Sequence, residues 1–295
     1  MTGFKVETIE PIELSRTGRL ASMYVLSPFV WAKDGTFHLL LRAVPRRDDE
    51  PRLKMAEIWY GKSDNGLQFT MDEGPCLFPG PDPADLDGCE DPTVILAEGR
   101  THVWYTGWNH RQKTGRLLKA EGPDPRRLSK RGVALPSTAA FANPKEATVV
   151  RGGGGDWRLF FEYARDEASR LGVATSNGIE GPWRPTESAL VRREGAWDDW
   201  HLSPGPIIGE RSDHPAMFYN GATRDAHWRI GWAVFDRDFR EVMERCDDPL
   251  IVPAARDGTK TDIAFAASAV ESGDRIWLYY SISDQMILRA TVRHR

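Results

Sequence analysis

The feature that most constrains the fold of this 295-residue chain is a sequence pattern that recurs five times. Each copy contains a short apolar strand, a turn rich in Gly and Asp, and a second strand that is strongly apolar or aromatic. The copies begin at Ser27, Asp91, Glu146, Ser203 and Phe265. When the second strands are aligned, one position falls on Arg42, Thr106, Glu162, Asn220 and Ser281. Recurrence at a nearly even interval predicts a repeat architecture.

Two further, more loosely patterned strands follow the hairpin in each copy. Asn65-Gly66 and Asn177-Gly178 mark turns among them, because Asn-Gly favours the tight turns that join antiparallel strands. Four strands per repeat is the content of one propeller blade. The sequence therefore predicts an all-β fold, a five-bladed β-propeller with four-stranded blades around a central funnel. We expect residues 1–295 to form a single domain.

Composition and charge exclude several classes of partner. The net charge is −4, and no basic stripe is present to bind a nucleic-acid backbone. No apolar run is long enough to cross a membrane, and residues 1–16 lack the apolar segment of a secretory signal. The three cysteines are odd in number and lack metal-type spacing, which fits reduced thiols in a cytoplasmic protein. We expect no nucleic-acid or membrane partner.

The repeat also indicates where a functional site would lie. The innermost strand of each propeller blade lines the channel, so equivalent strand starts converge on one funnel. Asp91 and Glu146 then meet, with Glu162 close behind and Ser27 on the same ring. Two carboxylates that flank a bond suit glycoside hydrolysis, and crowding of like charges keeps one of them protonated near neutral pH. Asp-Pro at a strand start is also an ordinary turn opener, so a structural role stays open for each carboxylate alone.

A second cluster, GAWDDWHLSPGP at residues 195–206, joins aromatic and polar side chains just before a strand start. Aromatic rings stack on the C–H faces of sugars, and neighbouring polar groups orient the hydroxyls. Asp199, Trp200 and His201 are therefore candidates for substrate binding, with packing between blades as the alternative for a tryptophan. Trp108, which lies past the end of a core strand, is predicted to face the funnel.

No metal site and no cofactor are predicted. The seven histidines include no pair spaced four residues apart. The four consecutive glycines at residues 152–155 fall at a hairpin turn and are followed by a strand, whereas a phosphate-binding loop is followed by a helix.

The run Gly88-Cys89-Glu90-Asp91-Pro92 resembles the Gly-x-Glu-Asp-Pro-Arg motif of glycoside hydrolase family 130, the β-mannoside phosphorylases and mannosidases. Four further segments match that family in order. They are HLLLRA ending at Arg42, GKSDNGLQF, NPKEATV with Lys145, and LYYSISDQMI with Asp284. The resemblance covers about residues 24–292, and the shared order of the motifs makes it fairly specific.

The resemblance implies roles for individual residues. Asp91 falls on the family's proton donor, which acts through a sugar hydroxyl, and Lys145 falls on a lysine that holds phosphate. Arg42 and Asp284 fall on positions that bind the sugar or the attacking group.

Two departures from the family's motifs bear on the reaction. Asn220 stands where the family has a histidine, and it is expected to bind the sugar or the attacking group. Thr93 stands where the family has an arginine after Glu-Asp-Pro. Phosphate is best held by bidentate arginine, so these losses favour hydrolysis. We therefore predict an inverting glycoside hydrolase that acts on a β-mannoside or related glycoside. Glu146, Glu162 or Asp262 would be its general base.

Three alternatives remain open. An inverting β-mannoside phosphorylase would use inorganic phosphate as co-substrate, with Arg116, Arg151 or His201 supplying the missing charge. An arabinofuranosidase- or fructosidase-like enzyme would need an aspartate where this chain has Ser27. A non-catalytic sugar-binding propeller also fits the two departures. In each case the expected partner is a small oligosaccharide or glycoside. Some relatives assemble through terminal helical extensions, and no such extension is evident in this sequence, so a monomer or homodimer is expected.

Overall fold

The computed structural model describes residues 3–46, 55–253, 262–283 and 286–295. Within these ranges almost every regular element is a β-strand, and the helical elements are two short 3₁₀ turns, Gly18–Ser22 and Pro83–Asp85. No helix in the same ranges has the length and apolar character that a membrane crossing requires. The prediction of an all-β fold is confirmed.

The first three sheets are consecutive antiparallel meanders, and each coincides with one copy of the sequence repeat. The first sheet contains Tyr24–Lys33, Thr36–Val44, Glu57–Ser63 and Gln68–Leu77, and Glu13–Ser15 adds a parallel edge strand. The second sheet contains Gly88–Ala97, Arg100–Asn109, Thr114–Gly122 and Ser129–Leu135. The third sheet contains Ala142–Arg151, Trp157–Arg165, Ala168–Ser176 and Arg184–Glu187.

The fourth strand group is divided into two small sheets. One contains His201–Ser203, Asn220–Ala222 and Trp228–Ile230, and the other contains Ile207–Ile208, Ala216–Met217, Ala233–Phe235 and Val242–Arg245. Pro204 and Pro206 lie where the first strand breaks, because proline cannot donate a ladder hydrogen bond. The backbone N–H of Phe218 still donates to Pro206 O at 2.9 Å, so the two small sheets continue one another.

The fifth sheet combines segments from opposite ends of the sequence. Its strands in spatial order are Ala264–Ser272, Arg275–Ile282, Met286–His294 and Phe4–Pro11. Phe4 lies opposite His294, and Pro11 lies opposite Leu288. The repeat pattern did not indicate the strand Phe4–Pro11, because that strand lies outside the five copies.

Side-chain hydrogen bonds join each strand group to the next, and the fifth group to the first. They run from Ser27 Oγ to Asp91 Oδ1, Thr93 Oγ1 to Ala147 O, Thr148 Oγ1 to Gly205 O, Asn220 Nδ2 to Ala266 O, and Ser268 Oγ to Pro28 O. The five groups are thus linked in a closed cycle, which we call the inter-sheet cycle.

Large apolar side chains fill the layers between neighbouring sheets. Trp59 of the first sheet is buried with Tyr279 of the fifth, and Tyr60 of the first sheet is buried with Tyr105 of the second. Full burial of a large apolar side chain contributes roughly 1.5–3 kcal/mol. These layers therefore hold the sheets at fixed positions around the centre.

Candidate active site

A β-bulge interrupts the first strand of four of the five groups near its start. In three of them the residue at the bulge has left-handed backbone, with φ of 51° at Ser27, 48° at Asp91 and 47° at Glu146. This conformation costs a residue other than glycine about 1–2 kcal/mol, and bulges commonly re-aim side chains beside active sites. The three strained residues are those that the sequence predicted on the ring of strand starts.

The aligned positions of the second strands lie directly across from this ring. In the first three groups this position pairs with the residue just before the strand start, and in the fourth and fifth groups it pairs with the strand start itself. The pairs are Arg42 with Leu26, Thr106 with Glu90, Glu162 with Lys145, Asn220 with Ser203, and Ser281 with Phe265. The strand register therefore confirms the alignment of the five copies.

A central cavity is lined by residues from all five groups. They include Ser27, Asp91, Glu146, Gly205 and Ala266. The fourth group contributes Pro204 and Gly205 rather than Ser203, which is fully buried behind them. A Cβ at residue 205 would lie 1.8 Å from Phe218 O, so only glycine fits there. The carboxylates of Asp91 and Glu146 are consequently the charged groups that line this cavity.

Asp91 is held by two neighbours. It is 7% exposed, accepts a hydrogen bond from Ser27 Oγ at 2.5 Å, and has both carboxylate oxygens 3.4 Å from Arg42 Nη1. Arg42 Nη2 also pairs with Glu90 Oε1 at 2.8 Å. Burial acts to raise the pKa of Asp91, but the charge of Arg42 and the hydroxyl of Ser27 outweigh it and lower the pKa. Asp91 is therefore ionised at neutral pH.

The side chain of Glu146 is hydrogen-bonded to Asp91, and its pKa is shifted in the opposite direction to that of Asp91. Burial, and then the negative charges of Asp91 and Glu162, raise the pKa of Glu146 well above its usual value. A single proton between the two carboxylates removes their repulsion. The expected crowding of carboxylates is present, and the proton lies on Glu146 while Asp91 carries the charge.

Lys145 and Glu162 form an ion pair beside these carboxylates. Lys145 Nζ lies 3.0 Å from Glu162 Oε1, and Ser169 Oγ donates to the same oxygen at 2.5 Å. The charge of Glu162 raises the pKa of Lys145 against the opposing effect of burial, so the ammonium group stays charged. The side chain of Lys145 is 41% exposed, whereas that of Glu162 is 3% exposed. Lys145 can therefore offer positive charge to a bound anion.

Ser169 links His201 to this ion pair, because it bonds to both His201 and Glu162. The backbone N–H of Ser169 donates to His201 Nδ1 at 3.0 Å, and the imidazole packs 5.5 Å from the Trp228 ring. Because Nδ1 accepts, the neutral ring carries its proton on Nε2. Burial is the main cause that lowers the pKa of His201. The imidazole is therefore neutral at pH 7 and does not supply the positive charge that a phosphate site would need.

The loop of residues 197–200 divides into structural and accessible side chains. Asp198 is fully buried and accepts hydrogen bonds from Arg193, Arg245 and Tyr219. Trp197 stacks on Tyr219, with ring centroids 5.5 Å apart. This half of the loop anchors the fourth group.

The other half of that loop stays accessible. Asp199 and Trp200 are half-buried, and the guanidinium of Arg224 lies 4.7 Å from the centroid of the Trp200 ring. Both residues remain candidates for sugar binding.

Asn220 and Thr93 occupy the wall rather than open space. Asn220 is fully buried, and its amide bonds to Pro204 O at 3.0 Å, to Ala266 O at 3.2 Å and to Ala266 N at 2.7 Å. The hydroxyl of Thr93 donates to Ala147 O. Because their polar atoms already bond to backbone, the expectation that Asn220 contacts sugar or phosphate does not match its placement. Both residues instead belong to the inter-sheet cycle.

Three predicted residues remain to be placed, namely Trp108, Asp262 and Asp284. Trp108 is half-buried near the end of the strand Arg100–Asn109, opposite Gly88. Asp262 is half-buried, and its backbone oxygen accepts a hydrogen bond from Trp228 N at 3.0 Å. Asp284 lies outside the described residues.

Arg116 and Arg151 were predicted as alternative sources of the missing positive charge. They lie at opposite ends of their strands. Arg116 is half-buried and pairs with Gly107, at the same end of the second sheet as Trp108. Arg151 is at the hairpin end of the third sheet, where it packs over Trp157 at 4.4 Å. Only Arg116 is therefore placed on the side of the cavity.

One cluster in the described ranges has the spacing of metal ligands. His102, Glu121 and Glu180 each place a ligand atom within 4.8 Å of the others. The ammonium group of Lys119 contacts Glu180 and lies 3.8 Å from Glu121 Oε2. Since Lys119 already supplies a cation to both carboxylates, the geometry is that of an ion-pair network.

Comparison with known proteins identifies the family. Residues 24–295 match the family model of glycoside hydrolase family 130, described as β-1,4-mannooligosaccharide phosphorylase. The chain belongs to glycoside hydrolase family 130. As a member of family 130 it is a glycoside-processing enzyme, and the resemblance seen in the sequence is confirmed.

Two curated family-130 relatives come from Thermoanaerobacter sp. (strain X514). A 1,2-β-oligomannan phosphorylase is 23% identical over 265 residues, which cover 86% of this chain and 84% of the relative. A β-1,2-mannobiose phosphorylase is 24% identical over 299 residues, which cover 92% of this chain and 95% of the relative.

A solved structure shows the same fold. The β-1,2-mannobiose phosphorylase of Listeria innocua, in complex with β-1,2-mannobiose, superposes with a TM-score of 0.77 at 18% identity. The match covers 97% of this chain and 91% of that one. The description of the family model and the names of the two curated relatives favour the phosphorylase alternative over the hydrolase that the sequence alone suggested.

Proposed function

We propose that this family-130 enzyme is an inverting phosphorylase of β-1,2-linked mannosides, with inorganic phosphate as co-substrate and no cofactor. The observation that carries the proposal is that both Thermoanaerobacter relatives, matched over most of their length, are named as phosphorylases of β-1,2-linked mannosides. One reason for preferring hydrolysis also loses its weight. Asn220 lies in the wall, so the loss of a histidine there removes no charge from the cavity.

The proposed reaction uses the carboxylate pair as the proton source. Phosphate attacks C1 of the mannosyl unit from the face opposite the leaving group, and the glycosidic C1–O bond breaks. The leaving oxygen takes a proton from a sugar hydroxyl, which is replenished by Asp91, and Glu146 passes its proton to Asp91. The products are an α-configured mannose 1-phosphate and a shortened mannoside. The opposite pKa shifts of Asp91 and Glu146 support this division of roles.

Lys145 is the proposed phosphate ligand. Its side chain is 41% exposed and its ammonium pairs with a buried carboxylate, and Arg116 lies at the same end of the second sheet as Trp108. Arg42 and Ser27 position Asp91. The proposed sugar-binding groups are Trp108, Asp199, Trp200, His201 and Asp284. His201 acts there as a neutral hydrogen-bonding ring.

We also propose that the five strand groups are the blades of one five-bladed β-propeller domain over residues 1–295. The inter-sheet cycle and the lining of the central cavity by every group support this architecture. A small mannoside would enter at the bulged strand starts.

The test is product analysis with β-1,2-mannobiose, with and without 10-fold excess phosphate. We expect mannose 1-phosphate only when phosphate is present, and a loss of at least about 100-fold in rate for Asp91→Asn, because general-acid catalysis contributes about 10²–10⁴-fold. Glu73→Gln, an exposed carboxylate of the first sheet, is the control and should keep full activity. Free mannose formed at equal rates in both buffers would overturn the proposal.

Hydrolysis is the second candidate, and one observation favours it. Where the family motif has an arginine, this chain has Thr93, whose hydroxyl donates a hydrogen bond to Ala147 O. A phosphate dianion there would lack one bidentate partner. The phosphate-free arm of the same experiment decides between the two reactions.

A further inference from the structure

A second cavity, of about 420 Å³, lies between the first and second sheets at their hairpin ends. Lys33 and Leu96 line it, and each lies at the opposite end of its strand from Ser27 and Asp91, respectively. At roughly 3.3 Å per residue, the two cavities are about 20 Å apart along the strands. The proposed reaction uses none of the residues that line this second cavity.

The strand register brings an aromatic and basic surface to one wall. Trp31 pairs with His38, and His38 pairs with Lys62, so these three side chains stand on one face of adjacent strands. Lys33 and Tyr60 lie two residues from Trp31 and Lys62, respectively, and so share that face.

The rings of this wall are fixed by stacking and a hydrogen bond. Trp31 stacks on His38 with ring centroids 5.2 Å apart and an angle of 13°. His38 Nδ1 and Tyr60 Oη are 2.6 Å apart. Trp31 stays half-buried while Tyr60 is only 1% exposed, so Trp31 offers the accessible ring surface.

The opposite wall is formed by residues 123–127, in the turn between the third and fourth strands of the second sheet, and it contributes two arginines. Arg126 is held by Asp72 through two hydrogen bonds of 2.6 and 2.8 Å, and Arg127 is paired with Asp124 at 2.6 Å. Lys33 and Lys62 are exposed and form no ion pair with any residue that the structure describes. Four cations and one carboxylate therefore line a cavity of a protein whose net charge is −4.

We propose that this cavity is a second binding site that takes a sugar phosphate, with the phosphate on Lys33 and Lys62 and the sugar ring against Trp31. The volume is within the range of small-molecule sites. Two lysines that form no ion pair with a described residue suit a phosphomonoester, and one accessible aromatic face beside polar groups suits a sugar ring. A nucleobase would favour enclosure between two aromatic faces, which this cavity does not offer.

The test uses histidine ring signals in NMR spectra of the full chain, since His38 reports on this cavity and His201 on the central one. Glucose 6-phosphate is the probe, with glucose and inorganic phosphate as separate arms. We expect saturable movement of the His38 signal with the sugar phosphate while the His201 signal stays fixed. Glucose and phosphate should each bind at least about 10-fold more weakly, since each lacks one half of the recognition.

Variants separate this site from unspecific charge attraction. Lys33→Ala/Lys62→Ala should weaken binding at least 10-fold, because both lysines are exposed and their removal leaves the core intact. Lys5→Ala/Arg275→Ala removes two exposed cations elsewhere and should change nothing. The proposal fails if the His38 signal does not saturate, if both double variants lose binding equally, or if inorganic phosphate binds as tightly as glucose 6-phosphate.

Discussion

Asp91 and Glu146 differ little in chemistry, and their neighbours set them apart. Arg42 and Ser27 contact Asp91, whereas Glu146 is surrounded by the negative charges of Asp91 and Glu162. The free protein therefore holds one proton on Glu146, next to the carboxylate that we propose as the proton donor.

A pH-dependent stability follows from the raised pKa of Glu146. The folded state keeps a proton that the unfolded chain releases near pH 4.5, so the contribution of Glu146 to the free energy of unfolding falls as pH rises above that value. Glu146→Gln cannot ionise. We expect its unfolding free energy to equal that of the natural chain near pH 4 and to exceed it at pH 8, in urea titrations at both pH values. The exposed Glu98→Gln should show no such divergence, and a constant difference for Glu146→Gln would contradict the assignment.

Asp198 illustrates a residue whose role is structural. Its buried carboxylate is bonded to two arginines and a tyrosine, so Asp198→Ala leaves those cations without their partner. We expect a loss of about 3–5 kcal/mol in the free energy of unfolding, measured by chemical denaturation. Asp199→Ala, one residue away and half-buried, should cost less than about 1 kcal/mol. Similar costs for both variants would count against this role.

The repeat predicted which residues lie at the strand starts and which lie across from them, but it did not predict what each of these side chains contacts. The repeat correctly brought Asp91, Glu146 and Glu162 together. The burial of Asn220 depends on Pro204 and Ala266, and neither contact leaves a local pattern. Similarly, only the fold decides which carboxylate of residues 198 and 199 is buried.

At the scale of single elements, the bulged strand starts explain how ordinary strands produce a site. A regular strand alternates its side chains between two faces, and the bulge adds one residue that escapes this alternation. Hydrophobic periodicity locates the strands but carries no signal for a left-handed residue such as Ser27. The fifth sheet shows a related limit, because its last strand, Phe4–Pro11, comes from a segment without a repeat.

The strain at Ser27 can be measured by comparing two variants. Ser27→Ala and Ser27→Gly both remove the hydrogen bond to Asp91, but only glycine adopts a φ of 51° without cost. We expect Ser27→Gly to be more stable than Ser27→Ala by about 1 kcal/mol in urea titrations. At Ser22, in a 3₁₀ turn, the order should reverse. A more stable alanine variant at residue 27 would contradict the left-handed conformation.

At the scale of the whole molecule, the inter-sheet cycle spreads stability over all five groups. Ser268 closes it, since its hydroxyl accepts from Val30 N and donates to Pro28 O, both at 2.8 Å. Each buried polar group left without a partner costs about 1–3 kcal/mol. We expect Ser268→Ala to lower the free energy of unfolding by about 2–4 kcal/mol in one cooperative transition, by calorimetry and denaturation. The exposed Ser22→Ala is the control, and a loss below about 0.5 kcal/mol for Ser268→Ala would show that the cycle is not closed there.

The pairing of Phe4–Pro11 with Met286–His294 also sets an order of events during synthesis. The ribosome releases residues 4–11 long before their partner strand, so the strand Phe4–Pro11 is unpaired while the four intervening strand groups are made. An unpaired strand is a template for pairing with other chains. Chains that lack residues 286–294 therefore leave this strand unpaired, and we expect them to aggregate more readily than chains that contain it.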